Sequence, residues 1–382
     1  MVIEQLIAAR GGRERSVAET AIALAERDHD VTVLCQAGAL DAAGVEVLDL
    51  GRHGPNRVIQ AARFARDVRD VAGRERYDIV QATLPIPGCN VYQPRGGTIP
   101  GLIAAKARHA GPIRGAVRKA LAPFNAARRQ QRRWERQVVA DRDVLCLPVS
   151  ELVGEELAVY YGRRDNVRVV FNGVTVPPAD GTTRDAWRAE WRRRWELDDD
   201  ATAFVTVAQN FAMKGVAEAI DAFAAFAQAP GARATKYVVV GADADAAGPY
   251  RRRAERRGVA ERVIFQQAVP DVFPIYSAAD VIVLLSWHDA CSRVILEATR
   301  WTVPSITTVY NGAAEALAGG AGVVVRSPRD RRAVAAAMAD LTDPRRRADR
   351  ADACRQAAGR LGMDRHVDEL LAAYEDFLAA RR

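Results

Sequence analysis

The sequence is poor in the residues that build metal centres and disulfide frameworks. Its 382 residues include five cysteines, which are widely spaced and odd in number, and five scattered histidines. No two cysteines have the spacing of a metal site, so we expect no bound metal ion and reduced thiols, as in a cytosolic protein.

Long apolar segments are also missing. The hydrophobic runs are short and interrupted by charged residues, and we therefore expect no transmembrane helix. Residues 1–6 lack the basic stretch and the long apolar core of a secretion signal. Because 49% of the residues are hydrophobic, the chain is expected to be globular, cytoplasmic and long enough for two domains.

Arginine carries most of a net charge of +7, which favours anionic partners such as nucleotides and phospholipid surfaces. The charge is concentrated in residues 103–137, where apolar residues alternate with many cations and Glu135 is the one acid. Such a segment either lies peripherally on an anionic membrane, at the inner face of the cell membrane, or forms a solvated face of its own domain. Nucleic acid is not expected as a partner, because no recognition motif accompanies the charge.

Strand-like and helix-like segments alternate in both halves of the chain. This pattern predicts an α/β protein made of two facing Rossmann-like domains with a cleft between them. We expect domains at 1–175 and 176–360, with a C-terminal helix at 361–382 that packs back towards the first. The predicted strands are 2–8, 30–35, 45–48, 77–81 and 144–148 in the first half, and 203–207, 237–241, 263–265, 281–285, 305–307 and 322–325 in the second.

Two carboxylates lie eight positions apart at a predicted strand-to-helix turn. Asp289 follows the apolar strand 281–285, and Glu297 lies within the helix predicted at 291–300. In doubly wound sheets, ligands bind beyond the carboxyl ends of strands, where helix N-termini present free N–H groups to anions. The pair suits a polyhydroxylated, phosphate-bearing ligand, although two solvated acids would show the same spacing.

A second polar loop, residues 87–98, follows the predicted strand 77–81. It contains Tyr92, Arg95, Gly96 and Gly97, and its position at the end of a strand places it towards any cleft. The composition is compatible with contact to a ligand and equally with a turn of the chain.

The order of the motifs resembles that of the retaining GT-B glycosyltransferases of group 1, in particular the lipopolysaccharide core glucosyltransferases. The resemblance extends over nearly the whole chain. It rests on the Gly-Gly loop, the start of the second strand, the Asn-Gly-Val segment, the Lys-Gly loop, the pair of acids and a downstream Gly-x-x-Glu, found here at 11–15, 27–33, 170–174, 207–215, 289–297 and 311–315.

This resemblance implies the transfer of a hexose from a nucleotide sugar, most simply a UDP-sugar, to a glycan or lipid-linked acceptor. It implies metal-independent chemistry with retention and no cofactor, since the nucleotide sugar is a substrate. Lys214 and Asp289 take the catalytic roles, while Tyr92, Arg95, Gly96 and Gly97 lie on the acceptor side. The implied donor-binding residues are Gly11, Gly12, Gln209, Asn210, Lys214, Asp289, Ser292, Arg293, Val294 and Glu297.

Several positions depart from the family pattern. Gln209 replaces the motif arginine, Asp289 replaces a glutamate, and Ser292 and Asn311 each replace a glycine. Arg10, Arg95 or Arg293 would compensate for the charge lost at position 209. The departures also keep open a second function, an impaired protein that binds sugar nucleotides without transfer. The basic segment 103–137 keeps open a third, a membrane- or polyanion-docking adaptor.

Overall fold

The computed structural model describes residues 1–7, 11–75, 77–198, 200–228, 232, 234–241 and 244–381, without the side chains of residues 123 and 244. The chain forms two compact units. Unit 1 consists of Met1–Val174, Asp289–Cys291 and Gly362–Arg382, and unit 2 of Thr175–His288 and Ser292–Leu361.

The strands of unit 1 are short and parallel. β1 pairs with β2, and β3 pairs with β4, which pairs with β5. Val2 bridges both Leu34 and Ala82, so the first residues of the chain lie between β1 and β3. The strands are β1 (Val31–Cys35), β2 (Val45–Asp49), β3 (Gln81–Ala82), β4 (Val91–Tyr92) and β5 (Leu145–Cys146).

Three strands predicted in the first half were too long, and the one predicted at 144–148 pairs only at Leu145–Cys146. The segment predicted at 2–8 forms only isolated bridges, at Val2 and Leu6, and Ala8 lies outside the described residues. Pairing in the segment predicted at 77–81 begins at Gln81, and the N–H of Val80 donates instead to the side-chain oxygen Oδ1 of Asn90 at 2.7 Å. At this point a side chain replaces the backbone hydrogen bonds between strands. An apolar sequence pattern does not reveal such a replacement.

Seven helices of the described part of the chain cover the sheet of unit 1. Polar side chains start several of them: Thr98, Asn125 and Ser150 each accept a hydrogen bond from a backbone N–H of the first turn. The helices are α1 (Gly12–Ala25), α2 (Arg57–Glu75), α3 (Ile99–Ala110), α4 (Pro112–Leu121), α5 (Ala126–Ala140), α6 (Glu151–Tyr161) and, at the end of the chain, α14 (Met363–Ala379).

Helix α14 completes the core of unit 1. Its apolar side chains, including Val367 and Leu370, pack in one buried cluster with Ile3 and Val17 of the first segment and of α1. On the surface, Arg27 of α1 pairs with Asp364 and Asp368 of α14, at 3.1 and 3.3 Å. Because these ion pairs are exposed, burial of the apolar face contributes most of the stability.

Unit 2 contains a six-stranded parallel sheet in the order β11-β10-β9-β6-β7-β8. The central strands β6 and β9 are almost completely buried, as expected of strands covered by helices on both faces. The strands are β6 (Thr202–Val207), β7 (Thr235–Val240), β8 (Val263–Gln266), β9 (Val281–Leu284), β10 (Ser305–Thr308) and β11 (Gly322–Val325).

The helices of unit 2 alternate with these strands, and the parallel sheets of both units confirm the predicted α/β class. The helix predicted at 291–300 begins two residues later, at Arg293. The helices are α7 (Gly181–Arg194), α8 (Val216–Phe226), α9 (Ala244–Arg256), α10 (Phe273–Ala278), α11 (Arg293–Arg300), α12 (Arg331–Asp340) and α13 (Pro344–Ala358).

The strand order of unit 2 reverses between β6 and β9. From β6 the chain proceeds outward through β7 to β8, and from β9 it proceeds the other way through β10 to β11. The loops that follow β6 and β9 therefore diverge from a common point at the carboxyl edge of the sheet. Crevices at such a reversal are the usual ligand sites of open α/β sheets.

Among the described residues, no helix has both the length and the apolar character needed to cross a membrane. The basic segment 103–137 forms most of α3, all of α4 and most of α5.

Candidate functional site

The loop between β6 and α8 carries the first group of predicted site residues. Gln209 and Asn210 are exposed and Lys214 is half-buried. The side chain of Asn210 accepts a hydrogen bond from the N–H of Met213 at 3.2 Å, which folds the loop into a turn. The loop thus presents an amide and an ammonium group at the carboxyl edge of the sheet.

A glycine brings this loop into contact with the end of β9, the strand that precedes the second group of predicted site residues, 289–297. Gly215 has φ +69°, and a Cβ at this position would overlap the carbonyl oxygen of Leu285. Next to it, the N–H of Trp287 donates to the carbonyl oxygen of Met213 at 2.9 Å. The two loops of unit 2 are therefore in direct backbone contact, and only glycine permits it.

Asn311 holds the start of α11 in place. Its Oδ1 accepts hydrogen bonds from the N–H groups of Ser292 and Ala313, at 3.2 and 3.1 Å, and its Nδ2 donates to Thr307 at 3.0 Å. The asparagine that replaces a family glycine therefore links the loop after β10 to the first residues of α11. In the sequence, Asn311 is visible only as a departure from the family pattern, and that pattern gives it no role.

Glu297 lies in a buried network rather than in an open loop. Its Oε1 accepts from Nε and one terminal nitrogen of Arg293, at 3.1 and 2.9 Å, and its Oε2 accepts from the hydroxyl of Tyr276 at 2.9 Å. Glu297 is 3% exposed and Arg293 is 7% exposed. A carboxylate has about four acceptor directions, so Oε2 retains room for one further donor such as a ribose hydroxyl.

Tyr276 is a site residue that sequence reasoning missed. It lies on α10, which precedes β9, and its side chain is fully buried. No motif in the sequence marks it, because its role depends on a contact across 21 positions of the chain.

The predicted pair of acids belongs to different units. Asp289 is half-buried and belongs with Ala290 and Cys291 to unit 1, whereas Glu297 belongs to unit 2. Within unit 1, the hydroxyl of Ser150 donates to the carbonyl oxygen of Ala290 at 2.6 Å. The same hydroxyl accepts a hydrogen bond from the N–H of Val153 in the first turn of α6. It therefore connects residues 289–291 to the start of that helix.

The predicted Gly-Gly loop leads into α1. The helix begins at Gly12, with Gly11 as an extended N-cap residue that supplies no side-chain hydrogen bond. The free N–H groups of such a first turn attract anions. Arg10, one of the arginines expected to replace the lost charge, lies outside the described residues.

Tyr92, predicted on the acceptor side, lies in the core of unit 1. Its hydroxyl donates to the buried carboxylate of Glu135 at 2.7 Å, and burial raises its pKa well above the ordinary value. Glu135 also accepts from the N–H of Ile99 at 2.7 Å and from the hydroxyl of Tyr161. Glu135 of α5 therefore connects Tyr92 with the start of α3 and the end of α6.

Arg95 also lies inside unit 1, 8% exposed. Its guanidinium donates to Gln93 at 2.7 Å and to Ser16, and it approaches Nε2 of His366 at 3.1 Å. These contacts connect the loop after β4 with α1 and α14. Of the four residues predicted on the acceptor side, only Gly96 is exposed. Contact between these four residues and an acceptor stays a prediction.

Unit 1 contains an open cavity that sequence reasoning did not identify. It lies where β1, β3 and the first segment of the chain end, and its volume is about 570 Å³. Its arginines come from separate parts of the chain, so no local motif announces them. They are Arg13, Arg52, Arg57 and Arg128, and the polar residues beside them include Gln36, Gln60, Asn125, Gln130 and Gln131.

Two family models match successive parts of the chain. The model described as Glycosyltransferase Family 4 matches residues 10–176, and the model described as Glycosyl transferases group 1 matches residues 188–376. A D-inositol 3-phosphate glycosyltransferase from Acidothermus cellulolyticus is 30% identical over 256 residues, which are 65% of this chain and 56% of that protein. The chain spans about half the length of the curated relatives that it matches.

Solved structures share the fold over nearly the full length. WaaG, a glycosyltransferase involved in lipopolysaccharide biosynthesis, has a TM-score of 0.77 at 20% identity, over 97% of each chain. Anabaena Alr3699/HepE, solved in complex with UDP-glucose, has a TM-score of 0.68 at 18% identity, over 97% of this chain and 98% of that one. At these identities the likeness concerns the fold.

Proposed function

Because the chain belongs to the group 1 glycosyltransferases of the GT-B fold, we propose that it transfers a hexose from a UDP-sugar to a hydroxyl of a glycan or glycolipid acceptor. The observation that carries this proposal is the strand reversal of unit 2, where the Lys214 loop and the start of α11 diverge from one point. The UDP-glucose held by Alr3699/HepE supports a uridine donor.

The proposed roles follow from the charges that develop during transfer. As the bond between the sugar and the diphosphate breaks, negative charge grows on the leaving phosphate. The ammonium of Lys214 and the N–H groups at the start of α11, beside Ser292 and Val294, are suited to stabilise it. Glu297 would accept a ribose hydroxyl on Oε2, and Asp289 would accept hydroxyls of the sugar.

We further propose that transfer proceeds with retention and without a metal ion. The acceptor hydroxyl attacks the anomeric carbon from the side of the leaving group, and the departing phosphate takes the hydroxyl proton. One carbon–oxygen bond forms as the other breaks, and no separate general base is needed. Activity unchanged by a metal chelator, with an α-linked product from an α-linked donor, is the expected result; loss of activity or inversion would contradict it.

The basic segment 103–137 supports a further partner, an anionic membrane surface. Four apolar side chains point to solvent on α4 and the turn after it: Ile113, Val117, Leu121 and Phe124 are 81, 54, 58 and 79% exposed. Their spacing places them on one side of the helix. A cavity of about 280 Å³ within the basic segment 103–137 is lined by five arginines, Arg128, Arg129, Arg132, Arg133 and Arg136.

A panel of nucleotide sugars tests the proposed function. The thermal unfolding temperature should rise with UDP-sugars more than with GDP-sugars, and one UDP-sugar should be hydrolysed slowly without an acceptor. Since Lys214 faces the diphosphate in this proposal, the rise should shrink in Lys214→Ala. If no nucleotide or nucleotide sugar changes the unfolding temperature, the proposal is wrong.

One observation favours a second candidate, an impaired protein that binds a sugar nucleotide without transfer. Three hydrogen bonds already occupy the carboxylate of Glu297, and Arg293 holds two of its acceptor directions. Thermal stabilisation by a UDP-sugar with neither hydrolysis nor transfer would support this candidate over the enzyme. A membrane-docking adaptor, by contrast, would bind vesicles and show no response to nucleotides.

A further inference from the structure

We propose that the arginine-lined cavity of unit 1 binds the phosphate-bearing, hydroxyl-rich head group of a lipid-linked acceptor. This inference rests on the proposed function, because it names the acceptor class of the same transfer. The cavity and its lining residues all belong to unit 1.

The positive charge of the cavity lining favours the binding of an anion. Four arginines line it, and Glu4 is the one acid among its described lining residues. Arg13 contacts Glu14 at 3.4 Å, whereas within the described part of the chain Arg52, Arg57 and Arg128 form no ion pair. Guanidinium groups without a carboxylate partner, converging on one open space, are the arrangement by which proteins bind phosphate.

The remaining lining selects hydroxyl groups. Six amide side chains line the same space, and amides both donate to and accept from hydroxyls. The Nε2 of Gln60 donates to the carbonyl oxygen of Gly54 at 2.9 Å, which fixes one of these amides in position. Trp134, which is partly buried, supplies apolar surface on which the face of a sugar ring can pack.

The cavity and the apolar surface described above are neighbours in the chain. Asn125, Ala127 and Arg128 line the cavity, and Phe124, whose ring is exposed, directly precedes Asn125. Arg128 also lines the second, arginine-rich cavity. A head group in the cavity would therefore have its lipid chains beside Phe124 and Leu121, which favours a membrane-anchored phosphate over a free sugar phosphate.

The experiment uses the full chain and vesicles of phosphatidylcholine with or without phosphatidylinositol, whose head group carries a phosphate and a ring of hydroxyls. The test variant is Arg52→Gln/Arg57→Gln. Its matched control is Arg63→Gln/Arg74→Gln, which removes the same charge from exposed positions of α2 outside the cavity. Binding is measured by flotation and competed with glucose 6-phosphate.

We expect the cavity variant to bind phosphatidylinositol vesicles at least about tenfold more weakly than the wild type, since two charge-assisted contacts to phosphate are lost. The control should stay within about twofold. Equal weakening in both variants would show that binding follows net charge alone and would overturn the proposal. Full displacement by millimolar glucose 6-phosphate would overturn its lipid-linked part.

A separate readout distinguishes this inference from the proposed function. The thermal shift with UDP-sugars should be unchanged in the cavity variant, because none of its residues belongs to unit 2. If the wild type shows no shift with any nucleotide sugar, the proposed function fails, while the vesicle comparison still decides whether the cavity binds phosphate lipid.

Discussion

At the scale of single residues, the candidate site contains a loop lysine and a buried ion pair. Lys214 is half-buried in the loop before α8, whereas Arg293 and Glu297 form a buried ion pair on one face of α11. Breaking a buried pair leaves an uncompensated charge in the interior, so removal of either partner should lower the stability of the fold.

Replacement of Lys214 by alanine should lower kcat by roughly 10²–10³, because loss of one group that stabilises developing charge raises the barrier by about 3–4 kcal/mol. Steady-state transfer assays with the UDP-sugar found in the donor panel measure this. Lys214→Arg keeps the positive charge and should recover part of the activity. A Lys214→Ala variant with more than half of the wild-type kcat would contradict the assignment.

Replacement of Arg293 by methionine should lower the free energy of unfolding by about 3–5 kcal/mol, since it leaves the Glu297 carboxylate buried without its cation. Urea titration measures the loss. The comparison is Arg257→Met, which removes an exposed contact to Asp221 and should cost less than about 1 kcal/mol. Similar losses in both variants would show that Arg293 is not a structural partner.

At the scale of elements, backbone geometry brings the functional loops together. The contact between the loop before α8 and the end of β9 depends on Gly215, and the start of α11 depends on Asn311. In unit 1, two buried carboxylates hold the start of α3: Glu135 accepts from the N–H of Ile99, and Glu156 accepts from the N–H of Thr98 at 2.9 Å.

Replacement of Gly215 by alanine should destabilise unit 2 more than the same change at Gly162 destabilises unit 1. Both residues have left-handed φ values, +69° and +68°, so both changes carry the strain of about 1–2 kcal/mol that a Cβ introduces there. Only at Gly215 does the new Cβ meet the carbonyl oxygen of Leu285, whereas at Gly162 no atom of the described residues lies within 4 Å. Equal unfolding temperatures for the two variants would refute the close contact.

The raised pKa of Glu135 predicts a pH dependence of stability. Burial raises this pKa above its ordinary value, against the hydrogen bonds from Tyr161, Tyr92 and Ile99 that lower it. A folded-state pKa above the unfolded-state pKa favours folding at low pH, and this contribution is lost as the pH rises through the folded-state pKa. The stability of the wild type relative to Glu135→Gln should therefore fall as the pH rises from the ordinary pKa of a glutamate towards neutrality. The slope of this fall is at most about 1.4 kcal/mol per pH unit.

Urea titrations at several pH values test this dependence, with Glu155→Gln as the control. Glu155 lies on the exposed side of α6, so its replacement removes a carboxylate from the same unit without altering the buried network around Glu135. A wild type that gains stability relative to Glu135→Gln as the pH rises would show that the hydrogen bonds outweigh burial.

At the scale of the whole molecule, one surface of unit 1 combines exposed apolar side chains with arginines. A surface helix normally buries its apolar face, but on α4 the residues Ile113 and Val117 are exposed. Each cation near an anionic bilayer contributes about 1 kcal/mol, and an inserted ring of Phe124 adds burial of apolar area.

Binding to vesicles that contain phosphatidylglycerol should weaken as the salt concentration rises from about 50 to about 500 mM, because the screening length shortens several-fold. Phe124→Ser should weaken binding at every salt concentration. The control is Val159→Ser, which changes an exposed residue of α6 outside this surface and should bind like the wild type. Salt-independent binding, or equal binding by both variants, would contradict the proposed membrane contact.

The fold was largely predictable from the sequence, since strands such as Val281–Leu284 and Thr202–Val207 are short apolar runs bounded by turns. The site was predictable only where its residues lie in one loop. Tyr276 reaches Glu297 through the packing of α10, and Arg57 lines the same cavity as Arg128 because α2 packs against α5. Burial of Tyr92 and Arg95 also depends on tertiary contacts, so a polar loop composition could not distinguish a ligand contact from a buried anchor.

All five cysteines are buried, and this makes the protein convenient for site-specific labelling. Burial raises the pKa of the thiols of Cys89 and Cys354 to about 12 and that of Cys146 to about 11, so little reactive thiolate is present near neutral pH. A cysteine introduced at Val117, which is 54% exposed, would then take a fluorophore selectively with no native cysteine removed. An environment-sensitive dye at that position would report arrival at a bilayer in real time, in the otherwise unaltered chain.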